Sequence, residues 1–132
     1  ERNIIILVPP RSPATVVYPA DDYVHAMEVS GAQRLLFISG TMGLDDKGSA
    51  PDGLDHQLAL LWSNIRRILA EAGMTTDNIA RVTSYLRDAS FAKANARARL
   101  EALGERCVPP TAIVVETLAP EWLVEIEAIA VA

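Results

Sequence analysis

Residues 122–131 alternate between two kinds of side chain, and this alternation limits the folds that the chain can adopt. The even positions are Trp122, Val124, Ile126, Ala128 and Ala130. Period-two patterning predicts a β-strand, and its wholly apolar even positions predict that one face lies in a core. The odd positions place Glu125 and Glu127 among aliphatic residues, which is unusual for a solvated face. We therefore expect the second face to be covered by another surface and to contain a polar site.

Two amphipathic helices are predicted from apolar residues that recur at helical spacing. The first covers residues 54–72, with Asp52 or Asp55 as its cap and Gly73 just past its end. The second covers residues 90–103, and Asp88 or Ser90 is its predicted cap.

The remaining apolar runs predict strands, which lie at residues 4–8, 23–29, 34–39, 79–87 and in a closing pair within 111–131. Prolines end the first run at once, so residues 1–20 are predicted to form an edge strand or an arm lying on a neighbouring molecule. The order of elements predicts a single α+β domain over residues 1–132, with one mixed sheet and two helices packed on one face.

Such a layout leaves one face of the sheet uncovered. The apolar residues predicted to alternate away from the helices are Leu35, Phe37, Ile113, Val115, Ile129 and Val131. An apolar patch of this size usually marks an interface, so oligomerisation through the open sheet face is the favoured interpretation. The alternative is that one strand has the opposite register and that some of these residues belong to the core.

The amino-acid composition argues against several classes of function. The net charge of −5 disfavours non-specific binding to nucleic acid and to an anionic membrane surface. A single cysteine, Cys107, excludes an internal disulfide framework and fits a reducing compartment, so we expect a cytoplasmic protein. No apolar run approaches the roughly 18 residues that span a bilayer. Two separated histidines and one cysteine predict no metal site, and no cofactor motif is recognisable.

Several motifs at matching intervals carry a resemblance to a known family. They are Ile38-Ser39-Gly40, Gln57, Asn64, Ala72-Gly73, Tyr85-Leu86-Arg87-Asp88, Phe91, Asn95 and Glu125-Ile126-Glu127-Ala128-Ile129-Ala130. From Tyr23 to the C-terminus the chain resembles the reactive-intermediate deaminase (Rid, YjgF-like) family. The resemblance implies a chorismate-mutase-like α+β fold that forms homotrimers through the sheet faces, with small-molecule clefts between subunits. It also implies hydrolysis of enamines and imines such as 2-aminoacrylate.

The chain departs from the family at the arginine that holds the substrate carboxylate. A planar guanidinium suits that task because it donates two parallel hydrogen bonds. Matching back from Glu125 without gaps places Pro110 at the arginine position, and no arginine lies between Cys107 and the C-terminus. The resemblance therefore implies a substrate shifted away from 2-aminoacrylate.

Other site residues carry over from the resemblance. Glu125 corresponds to the glutamate that activates water at the imine carbon, and the alternative is a structural carboxylate bonded to backbone amides across the interface. The predicted substrate-binding residues are Tyr23, His25, Ser39, Gly40, Asn95 and Thr111. His25 is included because a strand would place it on the same face as Tyr23, although a structural role is the alternative. For Asn95 the alternative is a helix-surface amide.

Three functions remain compatible with these features. The first is a hydrolase acting on an enamine or imine in an intersubunit cleft. The second is a non-catalytic trimer that binds or senses a small molecule. The third, ribonuclease activity, is the least favoured because the chain is acidic.

Overall fold

A computed structural model of the chain describes residues 4–5, 18–20 and 22–132. Its strands are β1 (Ile4–Ile5), β2 (Glu28–Val29), β3 (Leu35–Met42), β4 (Ile79–Leu86), β5 (Pro110–Val114) and β6 (Val124–Val131). Its helices are α1 (Leu54–Glu71) and α2 (Ala92–Ala102). Four strands form one sheet in the order β3-β6-β4-β5, in which β5 runs parallel to β4 and the other pairs are antiparallel. The fold is therefore α+β, with a mixed sheet as predicted.

The core lies between this sheet and the two helices. Val124, Ile126, Ala128 and Ala130 of β6 are buried, which confirms the predicted core face of the closing strand. Val131 was predicted on the other face, and this was wrong because only 2% of it is exposed. The short 3₁₀ turn Thr76–Asn78 packs against this end of β6, and the Asn78 side chain donates a hydrogen bond of 2.9 Å to the carbonyl of Val131.

The first helix agrees with its predicted bounds to within one residue, but its start differs from the prediction. Gly53, with φ of 87°, occupies the position before the helix, and neither Asp52 nor Asp55 forms a side-chain cap. Ile68 is one of the apolar residues whose helical spacing predicted this helix, but it is exposed, because it lies beside the loop at residues 45–48. In the second helical segment, the turn Ala89–Phe91 precedes α2, and Asp88 accepts a hydrogen bond from the Ser90 amide as predicted.

The strand predicted at residues 23–29 is mostly wrong. Only Glu28–Val29 pairs, and it pairs with Ile4–Ile5 in a separate two-stranded sheet. Residues 22–27 are irregular, with Val24 buried and the ring of His25 packed edge-on against Tyr18 and Tyr23. Most of the predicted N-terminal arm or edge strand, residues 1–20, falls outside the described residues.

The face of the sheet opposite the helices is open, as predicted. Its outermost residues are exposed apolar side chains, and Phe37 is 71% exposed. Leu35 and Ile113 are exposed beside it, whereas Ile129 and Val115 are half-buried. No element that the structure describes covers this face.

Candidate functional site

Glu125 lies on the open face of β6, directly opposite Tyr85 of β4 and Met42 of β3. Its position follows from the alternation of the strand, because the neighbouring residues Val124 and Ile126 point into the core. The half-buried carboxylate lines a cavity of about 300 Å³, which we call the glutamate pocket. Its lining residues are Gly40, Tyr85, Val115, Glu116, Thr117, Leu118, Glu125 and Glu127.

Gly40 lies against the Glu125 carboxylate, and no side chain fits at position 40 while Glu125 keeps this conformation. A Cβ at position 40 would overlap Oε2 of Glu125 and lie 2.9 Å from its Cδ. The pairing register between β3 and β6 breaks between Ile38 and Thr41, so Ser39 and Gly40 lie in an irregular stretch of the ladder. The Ser39 carbonyl accepts a hydrogen bond of 2.8 Å from the Thr41 hydroxyl. Gly40 thus lies beside Glu125, whereas the Ser39 side chain is exposed and does not line the pocket.

Tyr85 and Glu127 are pocket residues that the sequence analysis did not single out as ligands or catalysts. The Tyr85 hydroxyl donates a hydrogen bond to the Glu127 carboxylate. This bond, together with desolvation, raises the pKa of Tyr85 above its ordinary value, so the phenol remains a donor at neutral pH. The sequence indicated one member of this pair, because strand alternation puts Glu127 on the same face as Glu125. Tyr85 lies opposite Glu125 only through the pairing of β4 with β6.

A second cavity, of about 430 Å³, contains most of the other predicted residues. We call it the helix-edge pocket because it lies between α2, β5 and the side chains of Tyr18, Asp22 and Tyr23. Its lining residues are Tyr18, Asp22, Tyr23, Ser84, Ala92, Asn95, Ala96, Arg99, Pro110, Thr111 and Ala112.

The polar groups of the helix-edge pocket are partly engaged by protein. The Thr111 hydroxyl points away from this pocket, because Thr111 pairs with Thr83 and accepts a hydrogen bond of 3.0 Å from Arg81 on the open face of the sheet. A hydrogen bond with Tyr18, and desolvation, raise the pKa of Tyr23. Asn95 is only 3% exposed, and its Oδ1 has no hydrogen-bond partner among the described residues. The prediction of a helix-surface amide as the alternative for Asn95 is therefore wrong.

His25 lies behind this pocket and does not line it. Its Nε2 is 2.8 Å from the Tyr18 carbonyl, and its ring is edge-on to the rings of Tyr18 and Tyr23, at centroid distances of 4.7 and 5.5 Å. These contacts hold the segment that carries the two tyrosines.

The two pockets open on opposite sides of the sheet within one chain. Ser84 lines the helix-edge pocket, whereas its neighbour Tyr85 lines the glutamate pocket, and successive residues of a strand point to opposite faces. One chain therefore separates Glu125 and Gly40 from Tyr23 and Asn95, whereas the Thr111 hydroxyl lies on the open face with Arg81. No group of three His, Cys, Asp or Glu side chains within the described ranges is arranged to bind a metal ion.

Comparison with known proteins identifies the family. The family model described as Endoribonuclease L-PSP matches residues 14–132. The chain belongs to this family, which is also called Rid or YjgF. A RutC family protein of Pyrococcus horikoshii is 36% identical over 115 residues, which are 85% of this chain and 88% of that protein. A RutC family protein of Aquifex aeolicus is 38% identical over 71 residues, which are 53% of this chain and 54% of the relative, about half its length.

Solved structures of the Rid family share the fold. The Rid family protein YyfB of Yersinia pestis, whose function is unknown, superposes with a TM-score of 0.79 at 25% identity and covers 98% of this chain and 99% of its own. RidA of a Psychrobacter species superposes with a TM-score of 0.70 at 25% identity. The match covers 83% of this chain and 88% of the RidA chain. None of the helices in the described part of the chain has the length and apolar character needed to cross a membrane.

Proposed function

We propose that this Rid family protein is a hydrolase that acts on the C–N bond of a small enamine or imine in a cleft between subunits of a homotrimer. The observation that carries the proposal is the state of Glu125. Its carboxylate is half-buried beside Gly40, and no described residue forms a hydrogen bond or ion pair with it. Lone pairs that its own chain does not use can accept a proton from water, whereas the alternative, a structural carboxylate, needs backbone amides of the next copy as partners.

The subunit contact is proposed from the two pockets. One chain places Glu125 and the helix-edge pocket on opposite sides of its sheet, while the open face is apolar and exposed at Phe37. Contact through the open face covers these apolar residues and brings the glutamate pocket of one copy against residues of the next. Three copies related by a threefold axis close such a heterologous contact into a ring.

The proposed chemistry uses Glu125 as base and then as acid. An enamine first becomes an imine by gaining a proton at carbon and losing one from nitrogen to solvent. Glu125 accepts a proton from water as the water oxygen bonds to the imine carbon, and returns that proton to the nitrogen, which gives a neutral carbinolamine. Glu125 then takes the hydroxyl proton of the carbinolamine and passes it to the nitrogen as the C–N bond breaks, so that ammonia and a carbonyl compound leave. The neutral Tyr85 phenol supports this site by holding Glu127 next to it.

The substrate is proposed to differ from 2-aminoacrylate. Pro110 begins β5, followed by Thr111, so that strand provides no guanidinium. The lone Cys107 fits a reducing compartment such as the cytoplasm. The same absence of a guanidinium on β5 favours the second candidate, a trimer that binds or senses a small molecule without catalysis. The acidic balance of the chain disfavours binding to RNA.

Replacement of Glu125 by Gln tests the proposal. Glutamine is nearly isosteric but cannot accept the proton, so we expect turnover of an accepted enamine to fall about 10²- to 10⁴-fold. The oligomer should remain intact by light scattering. Glu101→Gln, an exposed carboxylate on α2, is the matched control and should keep wild-type turnover. A Glu125→Gln protein with unchanged rates would remove Glu125 from the mechanism, and an inactive wild type across enamines and imines would favour the binding-only trimer.

A further inference from the structure

A groove between the two helices lies on the side of the molecule that the proposed mechanism does not use. Its volume is about 410 Å³, and the described residues that line it all belong to α1 or α2. We call it the interhelical groove. It shares no lining residue with the glutamate pocket or with the helix-edge pocket. Whatever binds in this groove is therefore separate from the proposed reaction site.

Small side chains leave the interhelical groove open. Ala94, Ala98 and Ala102 recur at intervals of four residues on α2, which places them on one side of that helix. Leu58 and Trp62, also four residues apart, form the opposing wall on α1, and both are buried. Ala94 and Ala98 are only half-buried, since a methyl group does not fill the space between the helices. The walls of the groove are thus apolar.

Trp62 adds one unused hydrogen-bond donor to this apolar wall. Its residue is 3% exposed, and its Nε1 atom is buried without a hydrogen-bond partner among the described residues. An indole nitrogen can only donate, so the missing partner is an acceptor. Buried tryptophans usually find a partner for this N–H group, and a buried donor without one destabilises the fold. The groove therefore favours a ligand that carries an acceptor.

The charged residues at the rim of the groove do not favour a charged ligand. They are Asp55 and Arg66 on α1 and Arg97 and Glu101 on α2. All four are exposed, and their formal charges sum to zero. Exposed charges interact weakly because water screens them, whereas a charged ligand loses solvation when it enters an apolar groove. A neutral ligand fits these surroundings better.

We propose that the interhelical groove binds a small neutral molecule with an apolar body and one carbonyl-type acceptor. The acceptor oxygen takes the hydrogen bond of the Trp62 indole, and the apolar body packs on Leu58 and on the alanines of α2. The side chains of Arg66 and Arg97 are exposed, so they can rotate aside as the ligand enters. The inference does not depend on the proposed function, because no residue of the groove takes part in that reaction.

Binding of cyclohexanone and methylenecyclohexane to the intact protein tests this inference. The two molecules have nearly the same shape, but only the ketone has an acceptor oxygen. The chain has two tryptophans, so Trp122→Phe assigns the indole N–H signal of Trp62 in NMR spectra of isotope-labelled protein. We expect cyclohexanone to bind about tenfold more tightly than methylenecyclohexane and to shift the Trp62 N–H signal downfield. Equal affinities, or no saturable shift of this signal by the ketone, would overturn the inference.

Variants of the groove separate this binding from adsorption to other apolar surfaces. Trp62→Phe removes the donor and keeps an aromatic ring, so the two probes should then bind with equal affinity. Ala98→Leu fills the groove and should abolish the binding of both probes. Ala70→Leu, at an exposed position of α1 outside the groove, is the matched control and should leave both affinities unchanged. If Trp62→Phe does not fold, Ala98→Leu decides the question, and a preference for the ketone that survives either substitution in a folded protein would refute the inference.

Discussion

At the scale of single residues, the site depends on the contact between Gly40 and Glu125. Any side chain at position 40 displaces the carboxylate, because a Cβ would overlap its Oε2. The atoms that must move are the far end of a flexible side chain, so the fold can absorb the change.

We expect Gly40→Ala to fold with a free energy of unfolding within about 1 kcal/mol of the wild type. The displaced Glu125 should lower turnover by about a hundredfold, since a small misplacement of a catalytic group is costly. Urea unfolding and steady-state kinetics with one enamine substrate measure the two effects. Wild-type turnover in a Gly40→Ala protein would show that the position of Glu125 is not critical.

Tyr85 makes the free energy of unfolding depend on pH, and the direction of its pKa shift fixes the sign of this dependence. Its hydrogen bond to Glu127 raises the pKa of the folded phenol above the unfolded value, which is about 10. The stabilisation is therefore complete below the unfolded pKa and is lost as pH rises through the folded pKa. We expect the wild type to lose more stability than Tyr85→Phe in urea unfolding across this alkaline range. An identical loss in both proteins would contradict the assignment.

Sequence analysis identified some site residues and missed others for physical reasons. Glu125 was found because alternation in a strand fixes which face a residue occupies. Arg99 was missed because an arginine on a short, alanine-rich helix usually points to solvent. The available signal was its spacing of four residues from Asn95, which places the two on one helix face.

At the scale of elements, two buried or half-buried amides tie α1 to the loops around the site. Gln57 donates to the carbonyls of Pro51 and Glu121 and accepts from the Leu123 amide, at 2.8–3.0 Å. Asn64 donates to the carbonyls of Met42 and Leu44. Since β3 and β6 adjoin these loops, the amides position the strands that carry Gly40 and Glu125.

Gln57→Leu should be strongly destabilising. Gln57 is 3% exposed, and leucine leaves its three backbone partners without a side-chain partner. We expect a loss of about 3 kcal/mol in the free energy of unfolding, because each buried group left unpaired costs about 1–3 kcal/mol. Gln33→Leu, at an exposed position, is the control and should change stability by less than about 0.5 kcal/mol. A loss for Gln57→Leu as small as that of the control would refute this role.

The elements differ in how far sequence alone could define them. The bounds of α1 followed from its apolar periodicity, which is a local property. Residues 23–29 contain strand-favouring residues such as Tyr23, Val24 and Val29, but a strand requires a partner edge, and only Glu28–Val29 finds one in Ile4–Ile5. The local sequence pattern does not show which distant segments pair. For this reason it also could not predict that the turn Thr76–Asn78 packs on Val131 and buries it.

At the scale of the whole molecule, the open face determines assembly. Phe37→Glu places a charge on the edge strand β3 within this exposed apolar face, and we expect it to dissociate the proposed trimer in size-exclusion chromatography with light scattering. Ile68→Glu changes an exposed apolar residue on the helix side and is the matched control, which should keep the oligomer. If the Phe37→Glu protein has the same oligomer mass in solution as the wild type, the interface lies elsewhere.

The most direct test is complementation between two inactive variants of this protein. Glu125→Gln disables the glutamate pocket, and Ala96→Trp fills the helix-edge pocket with an indole. Co-expressed with different tags and purified as mixed trimers, the two should recover about a third of wild-type turnover, since one of the three clefts in each mixed trimer combines two intact halves. Mixed trimers with no recovery would show that both halves of the site come from one chain, which contradicts a cleft shared between copies.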